Sequence, residues 1–124
     1  MLLALYVAAG GALGAVARYL VTTAMAHLWS HPLPIGTMAV NVSGCLVIGA
    51  LVGAADSRAL LTAESRAFLI IGVLGGFTTF SAFGLEAFEL LRRGQVLLAL
   101  VHVAGQCVLG IGAVAAGFHL LRGR

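Results

Sequence analysis

The chain has 124 residues, of which 61% are hydrophobic and only 9% charged, and its mean hydropathy is +1.11. That composition excludes a water-soluble protein and places the chain in a bilayer. The net charge of +3 and a pI near 9.5 do not signal a nucleic-acid partner, because the basic residues fall at predicted helix ends, where they meet lipid headgroups.

Each membrane span needs about 20 apolar residues, and four such stretches follow one another with short connections. The first covers residues 3–25. Met1-Leu2-Leu3-Ala4-Leu5 lacks the cationic leader of a secretory signal and the apolar run is too long for one, so it is read as a span. Arg18, Thr22 and Thr23 are its polar residues. A turn at His31-Pro32-Leu33-Pro34 leads to the second span, residues 35–55, which carries Thr37, Asn41 and Ser43. The segment from Asp56 to Arg66 holds charge and is read as a connector. The third span, residues 67–91, contains Thr78, Thr79, Ser81 and Glu86. Arg92-Arg93-Gly94 turns the chain into the fourth, residues 96–121, with His102 and Gln106. Nothing remains for a second folded unit, so residues 1–124 are expected to form one four-helix transmembrane domain. Cys45 and Cys107 lie within spans, without metal-ligand or redox spacing, and are read as packing residues.

Within the third span, Gly75-Gly76-Phe77-Thr78-Thr79-Phe80-Ser81-Ala82-Phe83 is predicted to break the helix near the midplane. In hydrocarbon each unpaired backbone group costs several kcal/mol, so such a break survives only where it is packed in protein or faces a pathway or an ion. Gly10 and Gly14, Gly49 and Gly53, Gly72 and Gly76, and Ala113 and Gly117 form small-residue stripes that let helices approach closely.

All the cationic side chains are arginine. With both termini on one side, Arg58, Arg66, Arg122 and Arg124 face Arg92, Arg93 and nearby Arg18 on the other. This near balance predicts insertion in both orientations, and hence antiparallel pairing of two copies. Thr37 and Asn41 share one helix face and His102 and Gln106 another. Two readings of these faces stand open: hydrogen-bonding glue between helices, or a narrow wet track. Arg18 and Glu86 lie toward one end of their helices, either snorkelling or paired, with structural anchoring favoured. Phe80 and Phe83 are neighbours on one face, and their positive ring edges suit an anion that a full positive charge would hold too firmly.

Three ordered motifs carry a resemblance over nearly the whole chain. Gly10-Gly11 through Gly14-Ala15 to Arg18-Tyr19, Gly36-Thr37 followed by Asn41 and Gly44, and Gly75 through Phe83 are similar to the first-, second- and third-helix patterns of the Fluc/CrcB family of fluoride channels. The resemblance implies an all-α antiparallel, dual-topology homodimer in the cell inner membrane that passively exports fluoride, with two narrow pores and a structural sodium ion at its centre. It matches the sodium-binding backbone carbonyls to Gly75 and Thr78, and the fluoride pathway to Asn41, Phe80, Phe83, Thr79, Ser81, His102 and Gln106. Arg18 is carried over as a vestibule or structural residue. The fourth helix departs from the family pattern: Gln106 and Gly110 stand where serines are expected.

Other classes are weaker. A small multidrug exporter needs a membrane-centred glutamate in the first span, which this chain lacks. An enzyme built on Ser43 and His102 has no nucleophile motif and no group to orient the histidine. A non-conducting partner in a heterodimeric fluoride channel is the remaining alternative.

Overall fold

The computed structural model describes residues 1–58 and 61–122, with the backbone alone for Ser57 and Arg58. The side chain of Arg58 and all of Arg124, both counted in the charge balance, lie outside the described residues. Among the described residues, four helices are long and apolar enough to cross a membrane: Leu2–Leu28, Ile35–Asp56, Ala63–Arg92 and Val96–Leu121. The chain is an all-helical, multi-pass membrane protein.

Helix α1 (Leu2–Leu28) runs beyond the expected boundary at Met25, because nothing breaks it before the Pro32 and Pro34 turn. It ends where Trp29 turns extended and its N–H reaches Met25 O at 2.9 Å. Helix α2 (Ile35–Arg58) follows the second proline directly. The third span starts earlier than expected, with the short helix α3 (Ala63–Ser65). Thr62 caps it by accepting the Ser65 N–H at 3.2 Å, and Glu64 sits in the first turn, where a helix favours negative charge. Charge in this segment made it read as a connector, yet charge at a helix start is compatible with helix.

The third span changes its winding along its length. Residues Arg66–Leu74 are π-wound, and the Gly75 N–H is shared between the carbonyls of Gly72 and Ile70. Helix α4 (Gly75–Phe77) is a single turn. Thr78 (φ −81°, ψ 156°) and Thr79 (φ −151°, ψ 125°) are extended, and α5 (Phe80–Arg92) begins after them. Thr79 caps α5 by accepting the Ala82 N–H at 3.3 Å. The far end closes on Gly94, whose φ of 73° suits glycine. There the Gly94 N–H reaches Leu91 O and the Gln95 N–H reaches Leu90 O, both at 2.9 Å. Helix α6 (Val96–Leu121) completes the chain.

Packing is backbone against backbone. A Cβ on Gly14 would overlap Val73 O and lie 2.8 Å from Phe77 N, and one on Gly72 would lie 2.9 Å from Gly10 Cα. Helix α1 therefore runs parallel to the third span, pressed against its π-wound stretch. Gly49 and Gly53 meet the Val114 and Phe118 carbonyls in order, while Gly117 meets Leu46 O, so α2 and α6 also run parallel. The four spans thus alternate in direction, with α5 leaning on α6. At one end Arg122 pairs with Asp56 at 3.5 Å and lies over the Phe118 ring, linking α6 to α2. In lipid this close approach supplies the dispersion contact that holds helices together.

Replacing Gly14 with valine should lower stability by about 1–3 kcal/mol through overpacking, whereas Gly112→Ala, whose new methyl meets nothing within 4 Å, should leave it unchanged. Thermal unfolding in detergent measures the difference, and equal midpoints for the two variants would contradict the packing described.

Candidate functional site

A residue that leaves a helix must find new partners for its N–H and C=O, and the extended threonine step shows where these go. In extended backbone a residue's own N–H and C=O point the same way, so a single side-chain amide reaches both. Asn41 of α2 does this for Thr79. Its Oδ1 accepts the Thr79 N–H at 2.8 Å, and its Nδ2 donates to Thr79 O at 3.0 Å.

Beyond Asn41 the contacts continue from helix to helix. Asn41 Nδ2 donates to Gln106 Oε1 at 2.7 Å, and Gln106 Nε2 lies 3.2 Å from His102 Nε2, one turn back on α6. The same ring nitrogen is 3.4 Å from Glu86 Oε2 on α5. The Thr37 hydroxyl donates to Glu86 Oε1, which returns the chain of contacts to α2. Three spans are thereby tied by one polar run, with His102 fully buried at its centre and Gln106 nearly so.

The aromatic residues meet this run at His102. Phe83 stacks on the imidazole with ring centroids 5.4 Å apart, and Phe80 lies 5.4 Å from Phe83. Phe80 is 82% exposed, so the series passes from a buried ring to an open face. Ser81 and Thr79 bring their hydroxyls within 3.2 Å of each other beside it. A cavity of about 350 Å³ opens along Asn41, Gly75, Thr78, Thr79 and Phe80.

The carbonyls of Gly75 and Thr78 line the C-terminal end of the first part of this span. The Thr79 N–H, which an unbroken helix would return to Gly75, goes to Asn41, and the Ala82 N–H, which would return to Thr78, goes to Thr79 Oγ1. Both carbonyls are therefore released from their helical donors beside an open cavity. Hard oxygen ligands of this kind fit a small cation such as sodium.

Arg18 is half-buried on α1, and the Thr22 hydroxyl donates to its carbonyl at 2.9 Å. It forms no ion pair among the described residues. Glu86 was expected to anchor at the interface or to pair with Arg18, and the structure corrects this: it turns inward to Thr37 and His102. Thr37 had been placed on the polar face of Asn41, whereas Glu86 was missed as a member of the site. Its spacing of three from Phe83 was the available signal, since both then share a helix face. Ser43 donates to Val40 O on its own helix at 3.1 Å and is exposed, so it is no partner for buried His102.

Asn41→Leu would strand the Thr79 N–H and C=O without partners. A loss of about 1–3 kcal/mol per stranded group is expected, read as a lower midpoint of thermal unfolding in detergent. An unchanged midpoint would show that Asn41 does not support the extended step.

The chain is similar to known proteins over nearly its whole length. The family model for CrcB-like protein, Camphor Resistance (CrcB), matches residues 5–118. The chain is 44% identical over 118 residues to the Fluoride-specific ion channel FluC of Nitrobacter winogradskyi, covering 95% of this chain and 94% of that one. It is 45% identical over 122 residues to the Fluoride-specific ion channel FluC of Rhodospirillum centenum, covering 98% and 97%. A third relative of the same name, from Maridesulfovibrio salexigens, is 38% identical over 118 residues. A family match over residues 5–118 and near-complete coverage of such relatives leave one assignment: the chain belongs to the CrcB family.

Proposed function

We propose that this chain is a fluoride-selective ion channel of the cell inner membrane that passively exports fluoride. The observation that carries the reading is the 38–45% identity, over nearly the whole of both chains, to relatives named fluoride-specific ion channels. The run from Phe80 through Phe83 and His102 to Gln106 and Asn41 supports it with a chemistry that suits a small anion: ring edges and neutral donors, with no full positive charge to trap the ion.

The physical task is simple. A weak acid crosses the bilayer in its neutral form and dissociates in the less acidic interior, where its anion accumulates. A pore lets the membrane potential, worth about 2.3 kcal/mol per charge per 100 mV, drive the anion out. Fluoride entering this route competes with Gln106 Oε1 for the Asn41 N–H and with the hydroxyl pair of Thr79 and Ser81 for each other. Donors of this kind replace its tightly held water, and a bore too narrow for chloride supplies the discrimination.

The working unit is an antiparallel homodimer. Phe80 and Gly75 lie exposed on a face of the single chain, beside the open cavity, and a second copy would enclose them. The released carbonyls of Gly75 and Thr78 would hold a sodium ion there, whose charge fixes the two chains against each other. Arg18 serves the vestibule or the frame. The exporter alternative finds no support, since the described carboxylates fall outside the first span.

Purified chain in liposomes should release trapped fluoride to an ion-selective electrode while chloride is retained, and Phe80→Ile should abolish release while the dimer persists on gel filtration. Retention of fluoride by the unaltered chain would refute the reading. Elemental analysis of protein desalted into potassium should find one sodium per two chains; its absence would remove the sodium from the proposal and leave the conduction reading standing.

A further inference from the structure

The polar run does more than join helices, because its orientation is fixed at one end by backbone. The Thr79 N–H only donates and its carbonyl only accepts, so Asn41 must turn Oδ1 to the first and Nδ2 to the second. The other Nδ2 hydrogen faces Gln106 at 2.7 Å, which requires the atom there to be Oε1. Gln106 Nε2 then faces His102 Nε2 at 3.2 Å. An amide NH₂ donates and cannot accept, so the neutral imidazole must leave Nε2 bare and carry its proton on Nδ1, a buried atom that has no hydrogen-bond partner of ordinary geometry and bears that cost.

That assignment creates a conflict on the other side of the ring. The bare Nε2 lies 3.4 Å from Glu86 Oε2, an oxygen that is buried and has no hydrogen bond of ordinary geometry. Two lone pairs facing each other away from water repel. A single proton between them removes the repulsion, and Glu86 Oε1 is already occupied as an acceptor by the Thr37 hydroxyl, which leaves Oε2 as the oxygen that holds it; the one lone pair of Nε2 is then shared between this O–H and the Gln106 N–H, in keeping with both contacts being long.

We propose that Gln106 is a positioning residue: its amide, oriented from the Thr79 backbone through Asn41, holds neutral His102 as the Nδ1–H form, so that the Glu86–His102 contact carries one proton while the channel conducts. The second half of this statement rests on the fluoride-channel reading; the first does not. With the proton in place, Glu86 and His102 add no net charge beside Phe83. When it leaves, through the cavity of about 250 Å³ that Glu86 lines with Thr22, Thr37 and His31, an ionised carboxylate faces the anion's route and repels it.

Other charges around Glu86 are few. On its own helix Glu89 is held by Arg93 at 3.7 Å, and Arg93 borders a small cavity shared with Glu86. The loop before α2 contributes His31, whose Nδ1 accepts the Leu33 N–H. Helix α6 contributes His102, while the described residues that α1 and α2 bring to the lining of this cavity are uncharged, Thr22 and Thr37 among them.

The test reads the ring directly. Full-length protein with ¹⁵N-labelled histidine, in lipid bilayers at a pH of about 8 where the ring is neutral, should show His102 protonated at Nδ1 and bare at Nε2. Removing His27, His31 and His119 in turn assigns the signal. Gln106→Met, which cannot donate, should give a mixture of the two forms. A wild-type Nε2 that carries a proton overturns the proposal even if the Met variant fails to fold, and so does a Met variant that folds with the wild-type spectrum.

Fluoride release from liposomes should fall about tenfold per pH unit once the shared proton is being lost. Glu86→Gln, which places an N–H where the proton stood, should flatten that decline. A wild-type rate that is constant from a pH of about 6 to about 9 overturns the proton's role. A chain that releases no fluoride at any pH removes the functional reading instead, and the ¹⁵N spectrum still judges Gln106.

Discussion

The pairing of one asparagine amide with the backbone of one extended threonine is the constraint on which the site depends. Leaving a helix inside a membrane exposes an N–H and a C=O that lipid cannot satisfy, at several kcal/mol for each. Asn41 meets both at once, as a neighbouring strand would. It thereby anchors α2 to the third span and leaves one hydrogen for Gln106 on α6. A leucine of the same size would fill the space and strand the backbone. The glycines make the reach possible: a Cβ on Gly44, one turn after Asn41, would collide with the Thr78 methyl, so α2 comes close enough for a short amide to span the gap.

The π-wound stretch is the complement of that contact. Wider winding over Arg66–Leu74 turns Ala67, Gly72 and Leu74 inward, where Gly10 and Gly14 of α1 accept the backbone almost without side chains between. One face of the third span is fixed against α1 by these contacts. The other is fixed by Asn41. Between two such attachments the Thr78–Thr79 step has little freedom to revert to helix, because reversion would break the Asn41 contacts and shift the register against α1 together.

Much of this was legible in the sequence, for reasons that differ from element to element. The spans follow from long apolar runs closed by Pro32, Pro34 and Gly94, which act locally. The threonine step was foreshadowed by Gly75 and Gly76 followed by β-branched Thr78 and Thr79, also a local signal. That Asn41 and Gln106 lie on polar faces followed from spacing alone, but their direct bond required the angle between α2 and α6, which no local pattern encodes. Glu86 was misread for the same reason: a carboxylate near a helix end suggests the interface, and only the position of Thr37 and His102 turns it inward. The π-winding left no trace that spacing reasoning detects, since Arg66–Leu74 is apolar nearly throughout and shows no dominant face.

The fourth helix shows how a departure from a family pattern can carry physical content. The resemblance leads one to expect serines where Gln106 and Gly110 stand. A serine hydroxyl rotates and donates or accepts as its neighbours require, so it transmits no direction along a polar run. An amide has distinct ends. Once Asn41 fixes one of them, the other is determined, and the tautomer of His102 follows from the Thr79 backbone two side chains away. Gly110 has the opposite character: a Cβ there would rest 3.5 Å from Cys45 Sγ in ordinary contact, so the space admits a side chain that the chain does not supply. On the proposed reading α6 therefore concentrates its polar groups, His119 in the last turn apart, within the single turn from His102 to Gln106. Discrimination between anions must then be exercised over that turn and the phenylalanines beside it, because past Gly110 the helix offers no polar side chain until His119 in its last turn.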